Sequence, residues 1–94
     1  MKLLMIIVDD EHKEELEVYL AEAGLEAYTE IPRTLGMGAT GPHLGSRAFP
    51  RTSAIIFSII DDGMLESLRT GLTEFKEKMG IRAKIVAWQV DEVV

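Results

Sequence analysis

Two apolar runs dominate this chain, Leu3-Leu-Met-Ile-Ile-Val8 and Ala54-Ile-Ile-Phe-Ser-Ile-Ile60, and each is followed at once by a pair of aspartates. A run of this length bounded by polar residues reads as a buried strand. An aspartate just beyond it can cap a helix by accepting a bond from a free N–H of the first turn. The residues that follow bear out a helical period in both places. After the first run Leu16, Tyr19, Leu20 and Ala23 fall at i, i+3, i+4 and i+7, and Gly24 supplies a stop. After the second, Leu65, Leu68, Leu72, Phe75 and Met79 keep a 3-4-3-4 spacing up to Gly80. Residues 25–31 alternate imperfectly and end at Pro32, as an edge strand would, and residues 82–90 form a last strand.

The order is β-α-β-β-α-β, the split βαβ or ferredoxin-like arrangement of the α/β (α+β) class. It has an antiparallel four-stranded sheet with two helices on one face. The first and third strands take its middle. Their side chains are apolar at nearly every position and therefore point to both faces of the sheet. Two helices shelter one face only. The other would expose more apolar surface than a monomer tolerates, which predicts a closed homo-oligomer.

At 94 residues the chain reads as one domain, residues 1–94. It has no cysteine, so disulfides and thiolate metal sites are excluded. The opening Met1–Val8 run lacks a small-residue cleavage site and meets Asp9-Asp10, so it is read as a strand and not a signal peptide. No apolar run approaches the roughly 20 residues of a membrane span, and the expected compartment is the cytoplasm. The net charge of −6 argues against nucleic acid as a partner. That charge is uneven. Residues 31–53 hold Arg33, Arg47 and Arg51 and no acid, which is +3 within the segment and therefore −9 in the rest. A basic, glycine-rich arm at 32–53 leaves an acidic body, and it suits an anion or an acidic partner surface.

Within the arm Gly36-Met37-Gly38-Ala39-Thr40-Gly41 matches G-x-G-x-x-G. A dinucleotide fingerprint needs a helix starting inside the motif, and here Pro42 and His43 follow with no helical period. A structureless loop of some 20 residues is uncommon in a compact domain and is either functional or a partly disordered hairpin tip. Its glycines let backbone N–H groups approach a ligand, and its arginines offer forked donors to phosphate or carboxylate. The candidate ligand-binding residues are Gly36, Gly38, Thr40, Gly41, Arg47 and Arg51. His43 is a candidate metal ligand, shared about a three-fold axis, because the arm holds no other good one.

Other chemistry is weaker. Asp9-Asp10 and Asp61-Asp62 end the first and third strands, which on this reading run parallel side by side, so the four acids could cluster at one end of the sheet. Helix capping explains both pairs more simply. Ser46, Ser53 and Ser58 have no neighbouring His with an orienting acid in the sequence, and the chain is read as a non-enzyme. Trp88 alternates with Val86 and Val90 and suits a core or subunit interface.

The element order with a long arm after the second strand resembles the nitrogen-regulatory P-II proteins and their P-II-like relatives. The run "LAEAGLEAYTE" (residues 20–30) is similar to the end of that family's first helix and the start of its second strand, and "AIIFSIIDD" (54–62) to its third strand. Residues 31–53 take the place of the T-loop. The resemblance implies a ferredoxin-like trimer, ligands between subunits and control of partner proteins through the T-loop. It also implies, as an alternative, the divalent metal handling of the copper-tolerance branch of the same superfamily. The chain departs from the ATP-binding members. Their Thr-Gly-x-x-Gly-Asp-Gly-Lys segment is replaced by Met79-Gly80-Ile81-Arg82-Ala83-Lys84, and Tyr19 and Tyr28 both lie outside the arm. ATP and 2-oxoglutarate binding and uridylylation are therefore not carried over; the ligand expected is a small anion, its identity open.

Overall fold

The computed structural model describes residues 1–38 and 41–94. Strand β1 (Lys2–Asp9) leads through a 3-10 turn, Asp10–His12, into helix α1 (Lys13–Glu22). Strand β2 (Thr29–Thr34) follows, then a two-stranded ribbon, β3 (Gly36–Gly38) with β4 (Gly41–His43). Strand β5 (Ser53–Ile60), helix α2 (Asp62–Met79) and strand β6 (Ala83–Gln89) complete the chain. The main sheet is ordered β2-β5-β1-β6 and is antiparallel at every junction. The two apolar runs are its central pair, as the ferredoxin-like order requires.

Alternation along these strands sorts their side chains. Leu4, Ile6 and Val8 of β1 and Ala54, Ile56 and Ile60 of β5 are buried beneath Leu16 and Leu20 of α1 and Leu68 and Leu72 of α2. Truncating one of these to alanine would cost about 2–5 kcal/mol. On the opposite face the rows are Leu3 between Ile59 and Trp88, Met5 between Phe57 and Val86, and Ile7 between Ile55 and Lys84. Among the described residues no helix covers this face; Ile59 is 55% exposed and Trp88 44%. The apolar surplus inferred from the sequence is a physical surface.

Both helices stop at left-handed glycines, Gly24 at φ 92° and Gly80 at φ 65°. The second strand differs from expectation. Pairing runs to Thr34 instead of ending at Pro32, and residues 25–28 lie outside it. Between the pairs Ile31–Ile55 and Thr34–Ser53 the β2 strand carries one extra residue, a bulge holding Pro32 and Arg33, the latter at φ 53°. Pro32 has no N–H to donate, and an edge strand with a bulge is where a sheet tolerates that.

The paired acids are also placed differently. Strands β1 and β5 are antiparallel, so Asp9 lies opposite Ser53 while Lys2 lies opposite Ile60. Asp9-Asp10 and Asp61-Asp62 thus stand at opposite ends of the sheet and form no cluster. Neither pair caps through its side chains: Asp9 and Asp61 occupy N-cap positions without a side-chain bond. Asp62 instead meets the Met1 amino group at 3.0 Å, which holds its carboxyl below the ordinary value.

Candidate ligand cleft at the root of the arm

Among its described residues the arm carries regular pairing. In the ribbon Gly36 pairs with His43, Met37 with Pro42 and Gly38 with Gly41. Gly41 has φ 96°, a backbone region that disfavours side chains. The glycines of the G-x-G-x-x-G pattern therefore line a hairpin and precede no helix. Thr40 lies outside the described residues. Beyond the ribbon the chain turns again. The Gly45 amide donates to the Arg51 carbonyl at 3.1 Å, the Ser46 amide to the Phe49 carbonyl at 3.0 Å, and the Phe49 amide to Ser46 Oγ at 3.1 Å. This second turn carries Arg47 and Phe49 outward.

Asp10 fastens both limbs of the arm to the body. Its Oδ2 accepts from the Arg33 amide at 3.2 Å and from the Thr52 hydroxyl, and its own amide donates to the Thr52 carbonyl at 3.1 Å. The acid expected to cap a helix is a clasp. Thr34 adds a bond from its hydroxyl to the Ser53 carbonyl at 2.8 Å.

His43, read from the sequence as a candidate metal ligand, is 5% exposed. Its Nδ1 lies 3.1 Å from Ser53 Oγ and 3.5 Å from Asp9 Oδ1. A serine, a histidine and an acid do meet here, contrary to the sequence reading. They do not form a nucleophilic relay, because serine and acid face the same ring nitrogen, whereas a relay needs them on opposite nitrogens. Nor do they form a metal centre: among the described residues no three His, Asp or Glu side chains gather in ligating positions.

Beside His43 opens a cleft of about 500 Å³. It is lined by Gly36 and Gly38 of the ribbon, by Ile7 and Ile55 of the open sheet, by Asp9, and by Arg82 and Lys84. Neither cation has an ion-pair partner among the described residues. Two cations without ion-pair partners, against one acid, with glycine backbone and apolar side chains in the same lining, can hold a flat or small anion. Of the expected ligand residues, this cleft brings together Gly36 and Gly38. Gly41 lies across the ribbon from Gly38, Arg51 lines a smaller cleft with Asp9, Asp10 and Glu11, and Arg47 is exposed on the outer turn. Arg82 and Lys84 were missed. Their signal was present, two cations two apart at the head of a strand and thus on one face, but the strand reading absorbed them.

On the outer side of β2, Lys13 Nζ of α1 holds Glu30 at 2.8 Å. That bond keeps the Glu30 carboxyl below its ordinary value, while burial and then Glu30 itself raise the carboxyl of Glu17.

Comparison with known proteins returns one family. Residues 1–94 match the model for nitrogen regulatory protein P-II. None of the curated proteins matches the chain. Among solved structures the fold is similar to CPII, a nitrogen regulatory PII-like protein from Thiomonas intermedia K12, bound to ADP, AMP and bicarbonate. The TM-score is 0.71 at 25% identity, over 95% of this chain and 86% of that one. The same protein bound to ADP and bicarbonate gives 0.71 at 26% identity, with the same coverage. Its apo form gives 0.65 at 22%, over 95% and 89%, a likeness of fold alone. A ferredoxin-like sheet with one face uncovered, a clasped arm after its second strand and a match along the full sequence agree: the chain belongs to the P-II family.

Proposed function

We propose that this protein is a non-enzymatic P-II-like sensor that binds a small anion, an adenine nucleotide or bicarbonate, at a seam between subunits of a homotrimer. The observation that carries the reading is the cleft whose lining joins Arg82 and Lys84 with Gly36 and Gly38 and includes Ile7 and Ile55 of the uncovered sheet face. Copies closing over that face would wall the cleft with a second subunit. The solved CPII structures support the ligand class, since they hold ADP, AMP and bicarbonate.

On this reading Arg82 and Lys84 neutralise phosphate or carboxylate oxygens. Backbone N–H groups of the ribbon, those of Gly36 and Gly38 among them, supply the opposing donors. A ligand bridging the two cations and the ribbon would draw the arm toward the body and change what Arg47 and Arg51 present to a partner protein. The compartment is the cytoplasm; among the described residues no helix is long and apolar enough to cross a membrane. Against the alternative of metal handling through a His43 shared about a three-fold axis stands the burial of His43 within its own chain, at 5% exposure.

Titration calorimetry with ADP, AMP and bicarbonate tests this. Removing a charge-assisted contact costs about 1.5–3 kcal/mol, so Arg82→Ala and Lys84→Ala should each weaken binding roughly tenfold to a hundredfold. Wild-type affinity in both variants, or heat released with divalent metals and with none of these anions, would refute it.

A further inference from the structure

Among the described residues Arg33, Arg47 and Arg51 form no ion pair, and Arg51 lines the smaller cleft beside Asp9, Asp10 and Glu11. At the outer turn Phe49 is 44% exposed between Arg47 and Arg51, with Leu44 at 41% nearby in sequence. An exposed apolar side chain thus lies two residues from an arginine on either side in sequence.

The outer face of α1 has the reverse pattern. Val18 is 60% exposed. Its helical neighbours at i−4, i−3 and i+4 are Glu14, Glu15 and Glu22. All three are exposed; Glu15 lies 3.5 Å from His12, and Glu14 and Glu22 have no ion pair among the described residues. An apolar spot stands in a frame of carboxylates. Helix α1 packs on the sheet face opposite the uncovered one, so assembly through the uncovered face leaves this surface free.

We infer that the arm turn of one copy docks on the outer face of α1 of another copy, with Phe49 on Val18 and Arg47 and Arg51 among Glu14, Glu15 and Glu22. The two surfaces differ, so the contact is head-to-tail and joins one assembly to the next, in a ring or an open chain according to the rotation between copies. It rests on the arm being the docking element of the proposed sensor, and it names a second copy as a partner. Exposed ion pairs are individually weak and strongly screened, so the association should be reversible and governed by salt.

Sedimentation velocity on the full chain tests this at about 0.01 M and about 1 M salt, where the screening length falls from about 30 to about 3 Å. The expected result is a weight-average mass that climbs with concentration at low salt and returns to the base assembly at high salt. Arg47→Glu with Arg51→Glu, and separately Glu14→Arg with Glu22→Arg, should each lower the association constant roughly tenfold. All four changes together should restore it. If the α1 reversals unfold the helix by circular dichroism, Glu14→Gln with Glu22→Gln should still weaken association about threefold. No mass increase in the wild type at low salt overturns the inference. So does association that survives the α1 changes, or failure of the fourfold variant to recover. ADP calorimetry on the wild type and the α1 variant keeps the two readings apart: absent binding in the wild type counts against the ligand site alone, while mass decides the docking.

Discussion

Gly71 lies inside α2 where a glycine costs about 1 kcal/mol relative to alanine, so Gly71→Ala should stabilise the helix if space permits. It does not: a Cβ built there falls 1.8 Å from Tyr19 Oη and 3.1 Å from Tyr19 Cζ. Carbon contacts settle at about 3.5–4.0 Å, so the hydroxyl must retreat by well over an ångström. Tyr19 is held, because its ring stacks on Phe75 with centroids 4.9 Å apart and planes at 24°. Displacing it loses a stacking contribution of about 0.5–1.5 kcal/mol and forces a torsion worth a similar amount. Together these outweigh the gain in helix propensity, and Gly71→Ala should be destabilising by up to about 2 kcal/mol. In a Tyr19→Phe background the hydroxyl is gone and the nearest atom is the ring carbon, which need give only a few tenths of an ångström. There Gly71→Ala should recover most of its propensity gain. The cycle therefore predicts a coupling of about 1–3 kcal/mol, several times the deviation shown by independent sites. Urea denaturation followed by far-UV circular dichroism measures it, with all four proteins at one concentration because assembly shifts apparent stability. Additivity within about 0.5 kcal/mol, or stabilisation by Gly71→Ala alone, would refute the reasoning.

Burial and the adjoining Glu30 carboxylate raise Glu17, so the folded chain holds that proton more tightly than the unfolded one and Glu17 ionises at a cost to stability. Stability from this group is complete below the ordinary 4.5 and is lost as pH rises from there through the raised folded value. Glu17→Gln should be more stable than wild type at pH 7 and lack that decline; a parallel pH profile in thermal melts would count against it. At the open face, Phe57→Asp places a charge between Met5 and Thr29, in the middle of the proposed seam. Light scattering should find single subunits with native helix content, and wild-type mass would show that the seam lies elsewhere.

The sheet order was readable because only the two central strands are apolar at both parities, a pattern that an edge or one-sided strand cannot afford. The helices were readable from leucine spacing and from Gly24 and Gly80. The bulge at Pro32–Arg33 was not, since proline looks like a terminator until a neighbouring strand supplies register on both sides of it. Asp10 illustrates a second limit. Its position suggested a cap, but the groups that claimed its oxygen, Arg33 and Thr52, lie 23 and 42 residues away. The arm was legible as basic and glycine-rich, yet its ribbon was not, because pairing of Gly36 with His43 depends on backbone geometry more than on side-chain type. The cleft was missed on one side for a similar reason: Arg82 and Lys84 gain meaning from the β1–β6 register, which brings Lys84 opposite Ile7.

The kinked, proline-bearing border at β2 also bears on how such a greasy sheet stays out of trouble. A flat, regular margin would invite stray chains to add rung after rung, the route toward fibrils. The extra residue at Pro32–Arg33 spoils the ladder's rhythm on that side and steers the chain away into the arm. Beta-type growth is thus discouraged at β2, leaving β6 as the margin of the main sheet where new strands could still register.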